Sequence, residues 1–137
     1  DLVRLVEYCD QYQPGARRFD VGERSNPVML PMMVAAFRQL LDWRVDRIHA
    51  TLTDLTDHLA ANLADVPLAC AAKEHRAGHM IGLYYERRLS DGLRAAMTEA
   101  GIHVSYRGAG MRVSPHLYNR KADVDTLLTF LADYAKS

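Results

Sequence analysis

Arg112 stands between Met111 and Val113, in an apolar stretch that directly follows Arg107-Gly108-Ala109-Gly110, whose glycines permit a tight turn between strands. An arginine so placed has two readings. Side chains alternate across a sheet, so Arg112 can be a solvated, outward-facing strand residue. Held rigidly on the strand, it instead offers a planar, bidentate fork to a substrate carboxylate, a geometry that the point charge of lysine does not reproduce. A second candidate is the run Gly22-Glu23-Arg24-Ser25-Asn26, just ahead of Pro27 and Pro31. At a helix start, backbone N–H groups together with Ser25 and Asn26 would attract an anion; the alternative is that Ser25 or Asn26 caps that helix. Arg17-Arg18 reads as a small anion clamp or a solvated turn, and Tyr84-Tyr85 and Tyr106 as stacking platforms or packing residues.

Other chemistries lack their residues. There is no G-x-S-x-G elbow, no G-x-G-x-x-G and no Walker loop, and neither Cys9 nor Cys70 sits beside a histidine. The two cysteines have no ligand spacing and read as reduced structural thiols, and the six histidines form no HExxH signature, so no metal site is expected. Lys plus Arg equals Asp plus Glu at 17 each. That balance gives no field to draw nucleic acid or an anionic membrane. No apolar run approaches the roughly 20 residues of a membrane helix, and no secretory pattern opens the chain, so a soluble, cytoplasmic protein is expected. The chain opens at Asp1 within an apolar segment, Leu2, Val3, Leu5 and Val6, which reads as a truncated start.

The elements that must position these residues follow from periodicity. Residues 1–12 read as a short helix, stopped by Gln13-Pro14-Gly15, and 17–26 as a loop. A helix is expected over 30–41, with Pro31 in its first turn and a break at Trp43-Arg44. Ile48, Leu52, Leu55, Leu59 and Leu63 then recur every three or four residues, the clearest helical stripe in the chain. Strands are expected over 66–71 and 80–86, around the charged link Lys73-Glu74-His75-Arg76. Ser90 is placed to cap a helix with Leu93, Ala96 and Met97 inward, and Gly101 to end it in the left-handed conformation. Strands over 102–106 and 111–117 precede a last helix, capped by Asn119, with Val124, Leu127, Leu128, Leu131 and Tyr134 inward. The expected fold is thus α/β of the α+β kind: N-terminal helices, then β-β-α-β-β-α with helices against one face of a mostly antiparallel sheet.

Two blocks in this frame carry a family resemblance. Arg17-Arg18-Phe19-Asp20-Val21-Gly22-Glu23-Arg24-Ser25-Asn26, followed by Leu30-Pro31-Met32, resembles the segment downstream of the cofactor-binding lysine in class V aminotransferases. At the far end, Gly101-Ile102-His103-Val104-Ser105, then Met111-Arg112-Val113-Ser114-Pro115-His116-Leu117-Tyr118-Asn119 and Asp123-Val124-Asp125, resembles that family's C-terminal block. The order and spacing agree, so the resemblance spans essentially the whole chain.

The resemblance implies the C-terminal portion of a fold-type-I pyridoxal-phosphate enzyme, with 1–44 a connecting segment and helix from the large-domain side and 45–137 the small C-terminal domain. It implies that Arg112 holds the α-carboxylate of an amino-acid substrate. It further implies that Ser25 and Asn26 approach the cofactor phosphate of the neighbouring subunit in a homodimer. The family's Schiff-base lysine precedes the matching segment, and Lys73, Lys121 and Lys136 are poor substitutes, so this chain alone is expected to be inactive and not to bind pyridoxal phosphate covalently. No cysteine lies between Ala71 and Arg112, which disfavours a desulfurase. A kynureninase-like hydrolase or an epimerase shares the same block and stays open. Outside the family, the alternative is a free-standing small-molecule-binding or interaction module.

Overall fold

Leu52, Leu55 and Leu59 fall on one side of a helix because 3.6 residues make a turn, and in the computed structural model all three are buried. The structure describes residues 10–20, 26–64, 66–85 and 91–136. The chain divides into two compact units, residues 1–40 and 41–137. Residues 10–12 are not helical, unlike the expected first helix, the rest of which lies outside the described residues. Gly15–Phe19 forms a single 3-10 turn where a plain loop was expected. Helix α1, Met29–Trp43, is three residues longer than its 30–41 reading, and it buries none of its side chains.

Arg44 breaks the helical run with φ of 66°, so its amide bonds back to Leu41 while α2, Val45–Ala61, starts afresh. A positive φ on a non-glycine residue is a local cost, and Arg44 is also tied to Asp46 at 3.0 Å. After α2 the expected strand over 66–71 does not form. Pro67 has no N–H to give a ladder, and only Ala69 pairs, as an isolated bridge to Tyr84. Val66 and Leu68 are nevertheless buried, so these apolar residues serve packing rather than pairing. A 3-10 turn, Lys73–His75, occupies the charged link.

The sheet is formed by β1, Ile81–Tyr84; β2, Ser105–Arg107; and β3, Gly110–Val113. It is antiparallel throughout, in the order β1-β3-β2. Three strands thus replace the four expected, and β3 stops well short of 117, with Pro115 beyond its end. Helix α3, Asp91–Glu99, lies between β1 and β2, and its expected cap Ser90 lies outside the described residues. Its C-terminus closes as read: Gly101 has φ of 72°, its amide bonds to Thr98, and Ile102 bonds to Met97 at 2.8 Å. This paired closure satisfies two carbonyls that the helix leaves over.

Helix α4, Lys121–Lys136, is started differently from the expectation. Asn119 accepts from the His116 amide, closing the preceding turn, and Asp123 accepts from the Arg120 amide at 2.9 Å. The cap therefore comes from the third helical residue reaching back, with Asn119 bracing it through Nδ2. The core gathers Leu55 and Leu59 of α2, Leu93 and Met97 of α3, Leu127 and Leu131 of α4, and Ile81, Leu83 and Met111 from one sheet face. Between α2 and α4, His58 and Asp125 are hydrogen-bonded at 2.6 Å, and Lys121 meets Asp54 at 3.0 Å. Each buried leucine contributes on the order of 1.5–3 kcal/mol, whereas such exposed pairs contribute about 1 kcal/mol or less. Burial therefore holds the helices on the sheet. Leu59→Ala is expected to cost about 2–5 kcal/mol, read as a lower urea midpoint with an unchanged slope; a loss below about 1 kcal/mol would contradict a tightly packed core.

Candidate functional site

The turn from β2 to β3 is tight because Gly108, at φ of 56°, takes a conformation that a Cβ disfavours. Arg107 then pairs with Gly110, Tyr106 with Met111 and Ser105 with Arg112. On the other edge, Leu83 pairs with Met111 and Gly82 with Arg112. Met111 and Leu83 are buried in the core, so the two-residue period of a strand sends Arg112 to the opposite face. Arg112 is thus on the central strand, flanked by Ser105 and Gly82. Neither neighbour has a side chain long enough to cover a guanidinium.

Arg112 is half-buried, and its Nε is shielded from solvent without a hydrogen-bond partner. Two other arginines share that feature and show what compensation looks like. Arg76 gives Nη2 to Asp57 at 2.9 Å and Nη1 to the Thr56 carbonyl at 3.4 Å. Arg94 lies over the Tyr106 ring at 4.6 Å, a cation–π contact. Arg112 has neither an ion pair nor a ring contact among the described residues. A guanidinium partly withdrawn from water without a counter-charge among the described residues is disfavoured, and its planar fork is suited to a bidentate anion such as a carboxylate.

The same face carries two bare positions. A Cβ on Gly82 would lie 2.8 Å from the Tyr84 hydroxyl, and one on Gly110 would lie 2.7 Å from the Leu83 carbonyl and 3.1 Å from the Tyr84 ring. Tyr84 therefore lies along the sheet over both glycines. Gly82, Tyr84 and Ser105 could not be assigned to Arg112 from one strand alone, because only the pairing register makes them neighbours.

The other anticipated residues are placed elsewhere. Asn26 accepts the Met29 amide at 2.8 Å and caps α1, and Ser25 lies outside the described residues. Arg18 donates to the Gly15 carbonyl within its own turn. Tyr106 faces the core side, where its hydroxyl meets the Met97 sulfur at 3.4 Å and burial raises its pKa. Tyr85 is partly buried against the core, and burial raises its phenol likewise. His75 and His79 are four residues apart, but the chain is not α-helical between them, and no group of three metal-ligating side chains occurs among the described residues. Cys70 is a free thiol, and Cys9 lies outside the described residues. A cavity of about 380 Å³ opens beside α4, lined by His103, Ser114 and Val124 among others; of its polar members, Asn119 closes the turn before α4 and Asp123 serves the helix start.

No protein-family model matches the chain, and none of the curated proteins compared with it is similar. No helix among the described residues is long and apolar enough to cross a membrane.

The Arg76 cluster is structural, and its titration has a definite sign. The Lys73 hydrogen bond, at 2.7 Å, does most to hold Asp57 below the usual carboxylate range; partial burial opposes it, and the charges of Lys73 and Arg76 add to it. A carboxylate lowered in the fold contributes stability above its unfolded pKa, about 3.8 here, and loses it as pH falls through the folded value. Asp57→Asn should therefore be less stable at neutral pH, by about 1 kcal/mol, because Asp57 and Lys73 stay in contact with water although Arg76 is largely covered. The gap between variant and parent should narrow below pH 3.8. Urea unfolding at neutral pH and near pH 3 checks this, and an equal gap at both would contradict the ion pairs.

Proposed function

We propose that this chain is the C-terminal part of a pyridoxal-phosphate-dependent enzyme resembling the class V aminotransferases, and that Arg112 binds the α-carboxylate of its amino-acid substrate. One observation carries the reading: a half-buried guanidinium, shielded at Nε, with no counter-charge among the described residues and with small neighbours on either side. A strand holds that fork at a set angle, so the carboxylate it takes fixes the orientation of the whole substrate. Two parallel charge-assisted hydrogen bonds do this better than one flexible ammonium.

The residues of this chain do not fit a covalent hold on the cofactor. Lys73 is paired with Asp57, Lys121 with Asp54 and Lys136 with Asp133, all at the surface. Asn26 gives only its Oδ1 to the helix cap and keeps Nδ2 as a donor, so Asn26 and Ser25 remain the residues of this chain proposed to approach the cofactor phosphate, and the other cofactor contacts would come from the full-length protein. The role proposed for this chain is recognition: binding the acid end of the substrate and orienting it.

Helix α1 supports a wider assembly. Met32, Phe37 and Leu41 are 62%, 55% and 70% exposed, and a helix apolar on several sides is ordinarily covered. A cytoplasmic homodimer is the assembly we infer, with an amino acid as ligand and no nucleic-acid or membrane partner.

Arg112→Ala in the full-length protein should lower kcat/KM for the amino-acid substrate by an amount worth about 2–4 kcal/mol, with cofactor content unchanged. Arg112→Lys should recover only part of the loss. Unchanged kinetics in both variants would remove Arg112 from the site, and tight amino-acid binding by the isolated chain without cofactor would favour a free-standing binding module instead.

A further inference from the structure

We propose that Tyr84 is a second substrate-binding residue of the Arg112 site, its phenolic hydroxyl donating to the same carboxylate; this rests on the reading of Arg112 given above. Three observations meet here. Tyr84 follows Gly82 by two residues on β1 and pairs with Gly110, so all three share the sheet face of Arg112. The two glycines leave a shelf on which the ring lies back along its own strand, which brings the hydroxyl over Gly82. Gly82 is in turn the cross-strand partner of Arg112, and directly opposed positions carry their side chains about 4.5–5.5 Å apart. The hydroxyl thereby lies over the position that Arg112 faces across the strands, and no larger side chain at position 82 stands there.

The ring is also unusual in where it lies. Tyr84 is 57% exposed, and no hydrogen bond from its hydroxyl to a described residue is formed, whereas Tyr106 on the opposite face has both an arginine and a sulfur partner. An amphipathic side chain held flat on glycine, with its polar end over the cross-strand partner of a cation that has no counter-charge among the described residues, is placed to give a neutral hydrogen bond where the cation gives charge. A carboxylate has two oxygens and about four acceptor sites, so a bidentate arginine leaves room for a third donor. Ser105, on the other side of Arg112, is a shorter group and is not needed for this geometry.

The site so formed selects for a carboxylate with little bulk next to it. The Tyr84 ring lies along β1 over Gly82, the cross-strand partner of Arg112, so a branched or large group at the adjoining carbon would meet the ring. A neutral amide in place of the carboxylate would lose the charge of Arg112 and would set an NH₂ against the hydroxyl donor.

The test uses the full-length protein, with L-alanine and L-alaninamide as probes, followed by ligand-observed NMR or calorimetry. The parent protein should prefer L-alanine. Tyr84→Phe should weaken L-alanine binding about 5- to 20-fold, as expected for one lost hydrogen bond, and leave L-alaninamide nearly unchanged. Gly82→Ala, which displaces the ring end rather than removing the hydroxyl, should act in the same direction. Because Tyr84 is exposed, Tyr84→Phe should keep the thermal midpoint of the parent, and an equal loss for both probes would mark a merely structural role and overturn the proposal. If Arg112→Ala abolishes the preference while Tyr84→Phe leaves it intact, Tyr84 is no part of the site and Arg112 still is. If neither variant alters the preference, both readings fail.

Discussion

The pairing of Leu83 with Met111 is the constraint on which the rest of the smaller features depend. Both side chains are essentially without solvent contact, and together they set which face of the sheet is dry. A slip of one residue would exchange the faces, sending Arg112 into the leucine core and Met111 into water. Burying a lone guanidinium in that core would cost far more than the sheet's few hydrogen bonds return. The position of Arg112 is therefore determined by the apolar residues on either side of it, and the tight turn at Gly108 and the carbonyl contact that requires Gly110 keep the register from drifting.

Periodicity made the helices readable and left the sheet half-read. Leu52, Leu55 and Leu59, and Val124, Leu127, Leu128 and Leu131, repeat at helical spacing, and each helix buries the stripe its spacing implies. The break at Trp43-Arg44 and the glycine closure at Gly101 were also legible, because both depend on local backbone preference. Residues 66–71 were not. Val66 and Leu68 are as apolar as strand residues, but apolarity reports burial and not pairing, and Pro67 removes a donor from the ladder. Short strands of three or four residues carry too few alternations to fix their ends, which is why β3 was read through to 117. The start of α4 was misplaced for another reason. Asn119 and Asp123 can both cap, and only the loop's geometry decides that Asn119 closes the turn before the helix while Asp123 serves the helix itself.

The candidate residues divide the same way. Arg112 was conspicuous as a charge inside an apolar strand, and the outward face that alternation offered it is the one it takes. Asn26 was also conspicuous, yet the same features that draw an anion to a helix start draw the helix's own amides, and the amide of Met29 takes its side chain. Tyr84 was read as packing because nothing along one strand distinguishes a tyrosine on glycine from a tyrosine on leucine. Gly82 precedes it on β1, but Gly110 and Arg112 arrive from β3 through pairing, so that part of the information lies in the register and not in the local sequence.

Charge accounting separates the ion pairs that brace the helices from the arginines on the outer face of the sheet. Asp57 is committed to Arg76 and Lys73, Asp54 to Lys121, Asp125 to His58, and Asp123 to the helix start. Each of these carboxylates has its partner within α2, α4 or the adjoining turns, on the side of the sheet where the helices pack. The outer face has the reverse balance: Arg112 and Arg107 with Gly82, Gly110, Ser105 and Tyr84, and no carboxylate at any paired position. The formal charge of the whole chain is zero, so this local excess is a matter of placement. A cation that folding partly withdraws from water, with no counter-charge among the described residues, keeps its attraction for a group that arrives later. An anion bound there would complete a balance that the fold leaves open, which is why the chemistry proposed for Arg112 follows from the same packing that forms the sheet.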